Sequence, residues 1–117
     1  MGKSLVEKVC IYNKALSEPQ RVKMMKIICS SEKHSVCVTD IAQLLGISQP
    51  AATRHLKILC SVGFIIRKRI GTNVFYSVNI KTVQDYQKVL ELSFVQGYKP
   101  CSYGFDCDNC PYKETCA

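Results

Sequence analysis

Four cysteines close the chain in the pattern C-x5-C-x2-C-x5-C: Cys101, Cys107, Cys110 and Cys116. Thiolates separated by two residues can chelate one metal ion, because the intervening turn directs both sulfurs inward. The flanking pair then completes a tetrahedral set. Zinc is favoured over an iron–sulfur cluster, which demands the same number of thiolates; the Cys110-Pro111 pair is similar to ferredoxin-type runs. Reversible disulfides or idle thiols are the remaining readings. A bound metal would serve as a staple for a tail too short to fold alone. Alternatively its loss, oxidation or exchange would shift the last helix and so report a signal.

A second set of residues is suited to polyanions. The net charge is +7, and no acid occurs between Asp40 and Asp85, a span carrying Arg54, Lys57, Arg67, Lys68, Arg69 and Lys81. Such concentration is the electrostatic footprint of a phosphate-binding surface. Within it, Ser48 can cap a helix with Pro50 just inside. That helix would present Gln49 to an adenine edge, Thr53 to a base or methyl, and Arg54 to guanine or phosphate. Lys57, one turn on, is better placed for the DNA backbone. Thr72 would stand at the tip of a basic hairpin formed by Arg67, Lys68 and Arg69 with their partner strand.

The elements that must hold these groups follow from periodicity. Residues 4–16 predict a first helix through Leu5, Val6, Val9, Cys10 and Leu16. Ser17 predicts a cap for a second, ending near Cys29, with Val22, Met25, Ile28 and Cys29 inward. Ser30 to Ser35 reads as loop. Thr39 or Asp40 starts a short third helix with Ile41, Leu44 and Leu45, stopped by Gly46. The fourth helix, from Ser48, is expected to bury Ala52, Leu56, Leu59 and Cys60 or Gly63. Phe64–Arg69 and Val74–Val78 then alternate as strands around Ile70-Gly71-Thr72-Asn73. Asn79 predicts a cap for a fifth helix reaching about Gly97. Its apolar Val83, Tyr86, Val89, Leu90, Leu92, Phe94 and Val95 exceed what a peripheral helix of a small monomer needs, which points to a partner subunit.

The 117 residues suit one domain and an appendage: residues 1–98 for the DNA-binding and dimerisation domain, 99–117 for the cysteine-rich tail. Lys99 and Lys113 are outnumbered by Asp106, Asp108 and Glu114, so the tail carries −1 and the rest +8. No apolar run approaches the roughly 20 residues needed to span a bilayer. The first residues lack the apolar core of a signal peptide, so the expectation is a cytoplasmic protein with reduced thiols. No nucleophile–base pair, phosphate loop or carboxylate dyad occurs, so no catalytic residue and no enzyme is expected. His55 reads as a packing residue, and His34 sits in a polar loop without evident role.

Several segments together resemble the arsenical-repressor (ArsR/SmtB) family. Ala15-Leu16-Ser17-Glu18-Pro19-Gln20-Arg21 is similar to its opening. Asp40-Ile41-Ala42, Leu45-Gly46-Ile47-Ser48-Gln49-Pro50 and Arg54-His55-Leu56-Lys57-Ile58-Leu59 resemble its helix-turn-helix. Gly63-Phe64-Ile65 and Gly71-Thr72-Asn73-Val74-Phe75-Tyr76 resemble the glycine and wing that follow. The resemblance covers about residues 5–97. It implies a mainly α fold with a small β-hairpin, a winged helix-turn-helix, homodimeric through its first and last helices. It also implies repression of an operon until an inducer binds, with positions matching Gln49, Pro50, Thr53 and Arg54 facing the bases.

The chain departs from the family's sensing sites. Where the arsenic-type site has Cys-x-Cys, Val36-Cys37-Val38-Thr39-Asp40 retains Cys37 alone, and one thiolate cannot hold a soft ion unaided. The alternative site needs histidine on the last helix, and residues 81–97 contain none. A metal, metalloid or redox inducer would therefore act at the terminal cysteines. The rival reading is a winged-helix protein-interaction module with a structural zinc tail, and the concentrated +8 argues against it.

Overall fold

The computed structural model describes residues 3–33, 35–95 and 102–111. His34, Cys101 and Cys116 lie outside them. Five helices and a three-stranded sheet follow in the order α1 (Leu5–Ala15), α2 (Pro19–Ser30), β1 (Ser35–Cys37), α3 (Val38–Leu45), α4 (Gln49–Ser61), β2 (Ile65–Ile70), β3 (Asn73–Val78) and α5 (Ile80–Leu90). A wider helical turn, Glu91–Val95, continues α5, and Cys107–Asn109 forms one tight turn in the tail. Among the described residues no helix is long and apolar enough to cross a membrane.

Local chemistry sets most boundaries. Ser4 Oγ accepts from the Glu7 N–H at 3.2 Å and opens α1. Ser17, expected to cap α2, instead donates its hydroxyl to the Lys14 carbonyl at 2.7 Å and finishes α1. The N-cap of α2 is Glu18, which makes no side-chain cap bond, and Pro19 fits the first turn because its missing N–H has no helical partner there. The third helix begins earlier than expected, at Val38 with Cys37 as N-cap, because β1 delivers the chain directly into it. Asn79 precedes α5 without a side-chain cap bond.

The sheet has the order β1-β3-β2, antiparallel throughout. The hairpin was expected; β1 was not, its first residue having been read as loop. Ser35, Val36 and Cys37 pair with Ser77, Tyr76 and Phe75, partners some 40 positions away that no local pattern announces. Ile70 pairs with Asn73, leaving Gly71-Thr72 as a two-residue connection with Gly71 at φ 63.

The core gathers Met24, Ile28, Ile41, Leu56, Leu59 and Phe64, each fully buried, around Ala15, Ala42 and Ala52. The inner face of α2 is Met24 and Ile28, one turn apart, with Met25 partly buried beside them; Ile28 and Met25 were expected there, while Val22 and Cys29, also expected inward, are exposed. Leu44, expected inward on α3, is 67% exposed. Ile41 and Ala42 are buried and Val38 and the expected Leu45 pack against the core beside them, which leaves Leu44 on the outer side of α3. On α1, Val9 is buried, but Val6 and Cys10 face outward. On the extension of α5, Leu92 and Phe94 do the same.

Three aromatic rings join the first helix to the last. Tyr12, Phe64 and Tyr86 form a triangle with centroids 5.2, 5.6 and 5.7 Å apart. Edge-to-face contacts of this kind add to the area they bury. Tyr12 donates to Asp85 at 2.6 Å and Tyr86 to Asn13 at 2.7 Å, so both phenols keep a polar partner.

Candidate nucleic-acid interface

The helix-turn-helix is built from α3, a tight turn and α4. Gly46 takes the left-handed conformation, φ 66 and ψ 33, which a residue without Cβ adopts freely. Its N–H reaches the Gln43 carbonyl, and the Ile47 N–H reaches that of Ala42 at 3.0 Å, closing α3. Ser48 then caps α4, its hydroxyl accepting from the Ala51 N–H at 3.2 Å. Ala52, Leu56 and Leu59 bury the inner face of α4 and so fix which residues look outward.

Those outward residues are the expected ones. Ser48, Gln49 and Pro50 stand exposed at the N-terminal end, Arg54 and Lys57 are exposed further along, and Thr53 is half-buried. An open cleft of about 830 Å³ separates α4 from the sheet, lined among others by Thr53, Lys57, Cys60, Arg67 and Tyr76. Reading helix and wing therefore share one concave surface, with cations from both sides on its rim.

The three basic residues of β2 are not equivalent. Alternation places Arg67 and Arg69 on the side of buried Ile65, and Lys68 on the other with Ile66 and Ile70. Arg67 pairs across the hairpin with Tyr76. Burial pushes the Tyr76 phenol up, with Cys60 adding to the shift and Arg67 opposing it. Burial likewise pushes up the Cys60 thiol, against the pull of Arg67. Arg69 folds back, its Nε donating to the Gly71 carbonyl at 3.3 Å. Lys68 and Thr72 are exposed.

Cys37 is half-buried, its sulfur 3.2 Å from the Thr39 hydroxyl. In the tail, the described turn Cys107–Asn109 is braced by Asn109 donating to the Asp106 carboxylate at 2.8 Å and by the Asp106 N–H on the Tyr103 carbonyl. Cys107 thus opens this turn and Cys110 follows it directly. Among the described residues no three metal-ligating side chains come together; Cys101, Cys116 and the side chain of Cys107 lie outside that set.

The family pattern described as "Bacterial regulatory protein, arsR family" matches residues 18–67, which run from the N-cap of α2 through the helix-turn-helix into β2. A cadmium resistance transcriptional regulatory protein (CadC homolog) of Staphylococcus aureus is 30% identical over 78% of this chain and 71% of its own length. The chain belongs to the ArsR family. This is a family of bacterial regulatory proteins, not of enzymes. The SmtB homolog of Synechocystis, a transcriptional repressor, is 34% identical over 55% of the chain, and the chain spans about half of that relative's length, 46%. The fold agrees with a homodimeric winged helix-turn-helix DNA-binding domain from Mycobacterium bovis, solved in solution. Its TM-score is 0.61 at 21% identity, covering 86% of this chain and 99% of the other.

Within this ArsR-family chain, the pattern takes in Ser48, Gln49, Pro50, Thr53, Arg54, Lys57 and Arg67, and stops before Lys68, Arg69, Thr72 and the tail. Two features of the surface escaped the sequence reading. The Tyr76 partner of Arg67 was legible in hindsight, since both residues lie four positions from the Gly71-Thr72 turn. Arg21 appeared only as one letter of the family opening. In the fold it donates to the carbonyls of Ala15 at 2.6 Å and Lys14 at 3.3 Å, and stands 3.2 Å from His55 Nδ1 on α4.

Proposed function

We propose that this chain is a sequence-specific DNA-binding transcriptional repressor that acts as a homodimer. The observation that carries this reading is the outward row on α4, Gln49, Pro50, Arg54 and Lys57, whose helix lines with Thr53 and Lys57 the same cleft as Arg67 of the wing. The N-terminal end of such a helix enters the major groove first, with Gln49, Pro50, Thr53 and Arg54 toward the bases. Lys57, Arg67, Lys68, Arg69 and Thr72 serve the phosphates, and Ser48 serves as the cap. Outward-facing Val6 on α1 and Leu92 and Phe94 beyond α5 supply an apolar face for a second copy; the similar domain of the Mycobacterium bovis protein is itself homodimeric. Residues 1–98 form this unit and residues 99–117 a sensing or stabilising tail.

The tail cysteines, Cys101, Cys107, Cys110 and Cys116, are the proposed ligands of a metal ion, zinc ahead of an iron–sulfur cluster. The donor set fits: four soft sulfurs suit either occupant, and Cys107 opens a braced turn that Cys110 directly follows. When bound, the metal would order the tail. The inducer is then a metal, metalloid or redox signal acting there, in keeping with relatives named for cadmium resistance. An anisotropy titration compares the DNA upstream of the chain's own coding sequence with a scrambled duplex of equal length. Tighter binding to the former is expected, and equal binding to both would end the sequence-specific reading.

A further inference from the structure

We propose that Arg21 is a positioning residue of the reading surface, locking the end of α1 to His55 on the reading helix so that both move as one body. The proposal rests on the DNA-reading role argued above and adds a part the reading row lacks. Arg21 sits in the first turn of α2, between the other two helices. Its Nε and one terminal nitrogen hold the carbonyls of Ala15 and Lys14, at the end of α1 where carbonyls lack helical partners. A guanidinium there also complements the negative end of the helix dipole. Its other terminal nitrogen points at His55 Nδ1, 3.2 Å away.

A guanidinium has donors and no acceptor, so this contact is a hydrogen bond when Nδ1 accepts, in the tautomer that carries its proton on Nε2. His55 follows Arg54 directly and lies between buried Ala52 and Leu59, on the turn that carries Thr53 and Arg54. The buried row already limits how α4 can turn about its axis. The Arg21 link adds a fixed distance between that turn and α1. Because α1 bears the outward Val6, a second copy seated on it would hold the two reading helices at a set spacing through this one guanidinium. Operators with two half-sites are read only when that spacing matches theirs.

The test has two arms on the full chain. In the first, anisotropy compares binding to the upstream duplex with binding to the scrambled one, and circular dichroism verifies folding. His55→Leu leaves the bonds to α1 intact and should lower the preference for the upstream duplex about tenfold, the value of one hydrogen bond from a charged donor. His55→Asn, whose amide oxygen can accept where Nδ1 did, should stay within about threefold of wild type. Unchanged preference in a folded His55→Leu protein overturns the proposal. In the second arm, ¹⁵N spectra at about pH 8, where imidazole is neutral, should show the His55 proton on Nε2 and a Nδ1 signal that moves in Arg21→Lys or Arg21→Met. A proton found on Nδ1 overturns it as well. Should wild type show no preference at all, the DNA reading and the role given to Arg21 fall together. The second arm then still reports whether the two side chains meet, which separates the two failures.

Discussion

Tyr12 Oη donates to Asp85 Oδ2 at 2.6 Å, joining the first helix to the last across 73 positions of sequence. Lys8 reaches the same carboxylate oxygen at 3.6 Å. The bond holds together the two helices whose outer faces are proposed to meet a second subunit. It also sits beside the Tyr12–Phe64–Tyr86 triangle, so the α1–α5 contact is both apolar and polar.

That bond gives a pH-dependent prediction. The Tyr12 phenol is pushed up from 10.0 to about 12, chiefly by burial, then by its hydrogen bond to Asp85 and by that carboxylate's charge. The folded value exceeds the unfolded one, so the stabilisation is fully present below pH 10 and fades as pH rises toward 12. Tyr12→Phe should cost about 1 kcal/mol in urea unfolding at pH 7. The gap between variant and wild type should close above pH 10, and a gap that widens there would contradict the assignment.

Arg54 and Lys68 should separate base reading from phosphate attraction. Arg54→Ala is expected to weaken binding to the upstream duplex by about 1–3 kcal/mol while leaving scrambled DNA little changed. Lys68→Ala should weaken both duplexes alike and reduce the slope of log K against log salt by about one. Salt titrations of the two variants distinguish these outcomes. Identical behaviour would mean that the two side chains do the same job.

The tail makes a chemical prediction. Anaerobically purified protein should carry about one zinc per chain, lost on Cys107→Ser or Cys110→Ser, with the far-ultraviolet helical signal retained. Visible charge-transfer bands would instead assign an iron–sulfur cluster. Metal-free protein under those conditions would remove both.

Leu56 and Leu44 test where the core lies. Leu56 is fully buried on α4, and Leu56→Ala should cost about 2–5 kcal/mol. Leu44, 67% exposed, should tolerate alanine within about 0.5 kcal/mol. Urea midpoints of the two variants check this, and a large loss at Leu44 would show that another surface covers it.

The reading helix was legible residue by residue. Gly46 had to be left-handed, Ser48 had to cap, and Ala52, Leu56 and Leu59 had to face inward, because each is a local rule of backbone geometry or helical period. The hairpin was equally legible, since a two-residue turn fixes the register on both sides of it. What stayed hidden was non-local. β1 is three residues long, too short to show a period, and is a strand only because Tyr76 and Phe75 come alongside it. On α2 the expected Ile28 and Met25 do face the core, but Met24 replaces Val22 and Cys29 there, because α2 carries apolar residues on several sides and packing against α4 selects among them. Ser17 could cap forward or backward, and the close of α1 took it.

Sequence alone thus determined the reading head: a charge-segregated surface, a capped helix and a hairpin, all set within about a dozen residues at a time. Only the tertiary structure decided how that head is held. The Arg67–Tyr76 contact with Cys60 near it, the Tyr12–Asp85 bond and the Arg21–His55 approach bring together groups from separate elements. Side chains far apart in the chain become neighbours only once the core has chosen which face of each helix to bury.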